Sequence, residues 1–256
     1  MIHSVRSALR AVRGLSALRA LRALRVLRVL PVVLLLAAAS IARADETPTN
    51  AVPYNTVRVG EYWIFYHVYA NDVQGPYVPP GANLNLKNNS TPYFAYLRRL
   101  STNFAAELTL GIPPLTKTYG KGPATAGSVP YNGVEFTSAR WFAPSALLEY
   151  VFFDDTHKLR PYIGAGVNYV YFYSRQQTAA GDAVVGGPTR IFLPYSIGPA
   201  ATAGLNYQIT PHWSIAASYS ASRVTSRFDA RTEGVDRTSQ ISFGPQTAVL
   251  AAGFSF

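Results

Sequence analysis

From Thr56 onward the chain alternates. In the stretch WSIAASYSASRVT, Ile215, Ala217, Tyr219 and Ala221 fall on one parity, and Ser214, Ala216, Ser218, Ser220 and Ser222 fall on the other. Between Ser196 and Ile209 the residues Ala203, Leu205 and Tyr207 alternate with Thr202, Gly204 and Asn206. A period of two places successive side chains on opposite faces of a strand. One face is therefore apolar, and the other carries hydroxyls, amides and glycine. Eight segments of this kind are predicted, near Thr56 to Ala70, Thr91 to Leu100, Phe104 to Leu115, Arg140 to Phe153, Arg160 to Ser174, Ser196 to Ile209, Trp213 to Thr225 and Ser239 to Phe256.

The connections alternate in length. Long ones such as NDVQGPYVPPGANLNLKNNS are followed by short ones such as STN, DDTHK and TPH. An even number of strands with short turns at one end and long loops at the other is the pattern of an outer-membrane barrel. A soluble sandwich also alternates, but its outer face carries Lys and Glu; here only 14% of residues are charged. The fold predicted is all-β, an eight-stranded antiparallel transmembrane β-barrel with short periplasmic turns and long extracellular loops. Closure removes exposed strand edges. Trp213, Tyr207, Tyr150 and Phe152 sit beside the short turns, where an aromatic girdle belongs, and Phe254 and Phe256 end the last strand.

The first 44 residues read differently. Met1 to Ala44 holds eight arginines and no acid, then the apolar run VLPVVLLLAAA, then ARA before Asp45. That order is a signal peptide with cleavage near Ala44, which leaves residues 45–256 as the barrel. Eight of the ten net positive charges lie in that leader, so the mature chain carries +2 and a nucleic-acid partner is not expected. The absence of cysteine excludes disulfides and thiolate metal sites. No apolar run after Ala44 reaches the ~18 residues of a membrane-spanning helix.

Several stretches carry a family resemblance: LRPYIGAGVNYVYF after the acidic turn FFDDTHK, GEYW (Gly60 to Trp63), AEL after TN, APSALLEYVF, AGLNYQIT with a Trp soon after, and the ending AAGFSF. Together they resemble the outer membrane protein W (OmpW) family, across the whole mature chain. The resemblance implies a Gram-negative outer-membrane barrel with a narrow apolar channel for small hydrophobic molecules, which leave sideways through the wall. Alkane-uptake proteins are among its relatives. The implied partners are membrane lipid, lipopolysaccharide and small hydrophobic ligands, and a monomer is expected. Outside that setting Gly164-Ala165-Gly166 could pass for a dinucleotide-binding turn, but no third glycine follows at that spacing and no helix comes after it.

An eight-stranded barrel is wide enough for its own side chains or one slim ligand. Taking the polar-bearing parity as inward places Trp63, Phe65, Leu147, Val170, Phe172 and Val249 along an apolar path in the outer half. Glu61, Glu107 and Glu149 form a polar floor nearer the short turns. Buried carboxylates need partners, and Arg58, Arg98, Arg99 and Arg160 are available. The second strand is apolar on both faces and its parity stays open. The residues alone also allow a filled core with no channel, in a structural or adhesive barrel.

Prolines mark a second feature. Pro92, Pro113, Pro114, Pro144, Pro199 and Pro245 fall about nine to eleven residues from the short-turn end, the length of a membrane-spanning strand. Each removes a ladder donor, so pairing is expected to weaken there. Pro113, Pro144, Pro199 and Pro245 are the candidates for a lateral exit; the plainer reading is that the strands leave the membrane at that height. A lipid A-modifying enzyme would need a His beside a Ser or an acid. Only His67 lies near the outer end, between Phe65 and Tyr69 on its face, so no catalysis is expected. No Walker motif, metal-ligand spacing or serine elbow appears, and no cofactor or metal is expected.

Overall fold

A computed structural model describes residues 53–126 and 128–256. The signal peptide expected over 1–44 lies outside the described residues. In chain order the strands are β1 (Asn55–Ala70), β2 (Asn83–Leu86), β3 (Asn89–Arg99), β4 (Phe104–Gly111), β5 (Leu115–Lys121), β6 (Thr125–Ala126), β7 (Val129–Pro130), β8 (Glu135–Phe142), β9 (Ser145–Val151) and β10 (Leu159–Gln177). A short helix α1 (Ala179–Val185) precedes β11 (Thr189–Phe192), β12 (Ser196–Gln208), β13 (Trp213–Ser222), β14 (Val224–Thr232) and β15 (Val235–Ser255).

Eight of these strands close a ring. The order is β1, β3, β4, β9, β10, β12, β13, β15 and back to β1, every pair antiparallel. Closure lets neighbouring strands satisfy one another's backbone groups where lipid could not. Cross-strand partners share a face, so the register sets which side chains point inward. Thr202 faces Gly164 on one side and Ser220 on the other, and Ser220 donates to the Thr202 hydroxyl at 2.9 Å. On the outer face Ile163, Val167, Leu205, Ile215 and Leu250 are exposed to lipid.

Above the ring the wall changes partners. Five of its strands break: between β2 and β3, at Ile112–Pro114 between β4 and β5, at Ala143 and Pro144 between β8 and β9, between β11 and β12, and at Arg223 between β13 and β14. β10 exchanges β9 for β8, and β15 exchanges β13 for β14. The predicted segments Phe104 to Leu115, Arg140 to Phe153 and Trp213 to Thr225 are each split by these breaks. The long connections, expected to be loops, hold strands of their own. Two four-stranded half-walls result, β2–β5–β8–β10 and β11–β14–β15–β1.

Among the described residues no ladder joins β1 to β2 or β10 to β11. Side chains bridge these seams instead. Tyr66 N donates to Asn88 Oδ1 at 3.0 Å, and Asn83 Nδ2 donates to the Ala70 carbonyl at 2.8 Å. Arg175 Nη1 donates to the Leu193 carbonyl at 3.3 Å, with its guanidinium 5.6 Å from the centre of the Phe192 ring.

The short turns are tied by charge. Asp155 pairs with both Arg99 and Arg160, and Arg160 Nη2 donates to the Thr102 and Phe153 carbonyls at 2.6 and 2.9 Å. Around them Phe104, Tyr150, Phe152, Trp213 and Phe254 form edge-to-face aromatic pairs on the outer surface. That ring of aromatics belongs at a membrane interface.

Candidate functional site

A polar layer crosses the inner half of the barrel. Arg58 on β1 is 5% exposed, and its Nη1 lies 2.5 Å from Glu107 Oε2 on β4. Tyr93 on β3 donates its hydroxyl to Glu107 Oε1 at 3.1 Å. The guanidinium of Arg58 stands over the Tyr162 ring of β10, 5.4 Å from its centre, a cation–π geometry. Glu149 on β9 is fully buried, and neither of its carboxyl oxygens has a hydrogen-bond partner among the described residues. Among the described residues Arg58 pairs with Glu107 alone, and Glu149 stands in the same layer as a second, unpaired carboxyl.

Small neighbours make room for these long side chains. Arg58 faces Ala95 and Gly253, and Glu149 faces Ala105 and Gly164. A Cβ at Gly204 would lie 2.5 Å from Tyr162 Cζ, so the missing side chain there is what lets the Tyr162 ring lie across the lumen. Of the expected arginine partners, Arg58 meets Glu107, Arg99 and Arg160 meet Asp155 at the turns, and Arg98 donates to Asn55 Oδ1.

Three expected lumen residues face the other way. Trp63 and Phe65 are each 39% exposed on the outer surface. Glu61, expected in the floor, lies opposite Leu250 and Pro92 on that same outer face. The cause is the charge pattern of β1, which has Arg58 on one parity and Glu61 and His67 on the other. Pairing with β15 decides between them: Gly253, Ala251, Val249 and Thr247 face inward, and their partners are Arg58, Gly60, Tyr62 and Ile64. Tyr62, Ile64 and Tyr66 therefore supply the inner face of β1, which parity assigned by charge missed. His67 is exposed on the outer face.

The remaining apolar candidates point inward at two heights. Leu147 faces Glu107 and Gly166 across the strands, and Val249 faces Tyr62 and Ser218, so both border the polar layer. Val170 and Phe172 lie farther out, in one buried cluster with Ile64, Trp141, Val224 and Phe243. Phe172 meets Phe243 edge to face at 6.0 Å, and Trp141 Nε1 donates to Thr116 Oγ1 at 2.8 Å. A cavity of about 60 Å3 runs through this cluster between Tyr62 and Phe228. Above it, between the half-walls, a cavity of about 400 Å3 is lined by Leu84, Tyr131, Phe136, Val184, Phe228 and Arg237 among others. That volume is in the range of small-molecule sites.

The prolines differ from one another. The β4–β9 ladder ends at Thr109 opposite Ser145 and resumes only at Leu115 opposite Arg140, with Pro113, Pro114 and Pro144 in the interruption. There the wall holds a cavity of about 20 Å3, room for a water, bounded by Tyr62, Tyr93, Gly111, Pro114, Trp141 and Ala143. Pro199 faces Val167 in an unbroken β10–β12 ladder. Pro245 is inside, opposite Tyr66, where β15 changes partner from β13 to β14.

A closed antiparallel ring with an apolar belt outside, aromatics at its short-turn rim and a polar layer within defines a small β-barrel of the Gram-negative outer membrane. The chain belongs to the OmpW family, whose family model matches residues 56–256. It is 29% identical over 136 residues to the uncharacterized outer-membrane protein y4mB of Sinorhizobium fredii, a match spanning about half of each chain, 53% and 52%. It is 24% identical to outer membrane protein W of Salmonella typhi, over 67% of this chain and 76% of that one. Outer membrane protein AlkL of Ectopseudomonas oleovorans is likewise 24% identical, over 70% and 74%. Among solved structures, OprG of Pseudomonas aeruginosa superposes with a TM-score of 0.72 at 16% identity, covering 80% of this chain and 96% of that one. AlkL in DMPC bilayers superposes at 0.57 and 19% identity, over 82% and 94%. These structural likenesses show the fold.

Proposed function

We propose that the barrel passively admits small hydrophobic molecules from the cell exterior and releases them sideways into the outer membrane. The observation that carries this reading is a series of three neighbouring cavities with largely apolar linings. The outer cavity shares Phe228 with the middle one beside Val170, Phe172 and Phe243, and the middle one shares Tyr62, Trp141 and Ala143 with the small cavity at the interrupted wall. Below that point Arg58, Glu107, Glu149, Tyr93 and Tyr162 close the lumen. A hydrocarbon gains nothing from crossing a charged layer, whereas the wall leads to surroundings as apolar as itself.

The partners follow from the surface. Lipid covers the outer belt. Higher on the same face Arg190 and Arg231 stand directly opposite each other, with Arg223 and Arg227 exposed nearby. Arg231 meets Asp236 and Arg227 meets Asp229, while Arg190 and Arg223 have no carboxylate partner among the described residues and suit the phosphates of lipopolysaccharide. The protein acts as a monomer in this scheme, without catalysis.

The test is uptake of radiolabelled n-octane into cells producing the protein. Phe172→Asp should abolish it, and so should Gly111→Trp, which fills the interrupted wall. Trp63→Ala should leave it unchanged. The narrow middle cavity of about 60 Å3 favours the rival reading, a structural barrel with a filled core. Octane uptake equal to that of cells lacking the protein would decide for it.

A further inference from the structure

Among the described residues one charged side chain, Arg237, lines the outer cavity. Arg237 is on the inward parity of β15, two residues before buried Ser239, and it borders the cavity of about 400 Å3. Among the described residues it has no carboxylate partner. Its neighbour Asp236 pairs with Arg231 on the outer face at 3.5 Å. Arg237 donates from Nη1 to Thr232 Oγ1 at 3.0 Å and from Nε to the Pro76 carbonyl at 3.4 Å. These two bonds hold the guanidinium at the cavity wall and leave part of its fork of five donors open. Thr232 is itself fixed by the Thr189 hydroxyl at 2.6 Å.

The rest of the lining suits an alkyl chain. Leu84, Phe136, Val184 and Phe228 supply apolar surface, and the small polar groups are hydroxyls and one amide, with no second charge among the described residues. A pure hydrocarbon would leave the guanidinium without a counter-ion. An amphiphile with one anionic head would complete it, because a carboxylate matches the guanidinium fork bidentately. We propose that the outer cavity is a receiving site for medium-chain monocarboxylates, with the head on Arg237 and the alkyl tail directed toward Phe172 and Phe243. This rests on the uptake reading above and names the class of molecule that the entrance selects.

Isothermal titration of the full barrel in lipid nanodiscs tests it, with octanoate and octan-1-ol as probes and empty nanodiscs as reference. Octanoate should bind the native protein at least about tenfold more tightly than Arg237→Gln, and Arg237→Lys should recover part of the difference. Octan-1-ol should bind both equally. Heat-modified gel mobility shows whether each variant remains a folded barrel. Octanoate affinity unchanged by Arg237→Gln, with octanol still bound, overturns the role of Arg237 and leaves the uptake reading standing. If neither probe binds and octane uptake is absent as well, both are overturned.

Discussion

Arg58 and Glu107 meet over an intervening strand: their side chains come to 2.5 Å across Ala95 of β3, which faces Arg58 and is 4% exposed. Glu149 adds a second carboxyl, with no further cation paired to it among the described residues. Arg58→Met should therefore leave two acids buried without a counter-charge and destabilise the barrel by about 3–5 kcal/mol. Glu149→Gln should cost little or stabilise. Urea unfolding of the refolded protein in lipid vesicles, followed by tryptophan emission, measures both.

On the outer face Glu61 stands between Leu250 and Pro92, in the lipid-facing belt. Glu61→Leu should raise stability by about 1 kcal/mol, since an acid in that belt costs less than a basic residue but is still unfavourable. The same unfolding experiment reads it. A loss of stability would mean that Glu61 has a partner in the membrane.

The three tryptophans report the parity directly. Trp63 and Trp213 are 39% and 52% exposed on the lipid face, whereas Trp141 is 8% exposed inside. Single-tryptophan variants in brominated phosphatidylcholine should show strong quenching for Trp63 and Trp213 and little for Trp141. Strong quenching of Trp141 alone would reverse the assigned faces.

At the turn between β9 and β10, Asp154 is held down to about 2 from an ordinary value of 3.8. The Thr156 side chain is the main cause, followed by His157 and the Thr156 amide. A depressed carboxyl stabilises its surroundings above its ordinary value, and the contribution is lost as pH falls from about 4 toward 2. The Thr156 amide resonance should shift across that window in the native protein and stay flat in Asp154→Asn. A midpoint near 4 would show that the turn does not hold the carboxylate.

Where size and polarity contrast sharply, the strand faces could be read from the residues. In β12 and β13 small hydroxyls alternate with alanine, leucine and tyrosine, with no charge between Ser196 and Gln208 or between Trp213 and Ser222 to confuse the parity. β1 could not be read this way, because both of its faces are charged and its aromatics suit a lumen or a membrane interface equally. Only the hydrogen-bonded neighbour β15 distinguishes them. Trp141 continues the inward parity of Leu147 and Glu149 across Pro144, so its place is legible in the residues. The half-walls were not legible. Strands such as LTKTYGK are short and polar on both faces, and what orders them is pairing with β8 and β2 rather than any contrast of their own.

The breaks above the ring bear on how the protein could be rebuilt. Only β1, β10 and β15 pass from the ring into the half-walls without interruption. An exchange of the cell-exterior portion between relatives would need three mid-strand splices, placed so that inward and outward parity is preserved. The other five junctions are already discontinuous and would tolerate changes in length. The barrel is thus a fixed socket with a replaceable head, and diversification of what it captures need not disturb what anchors it.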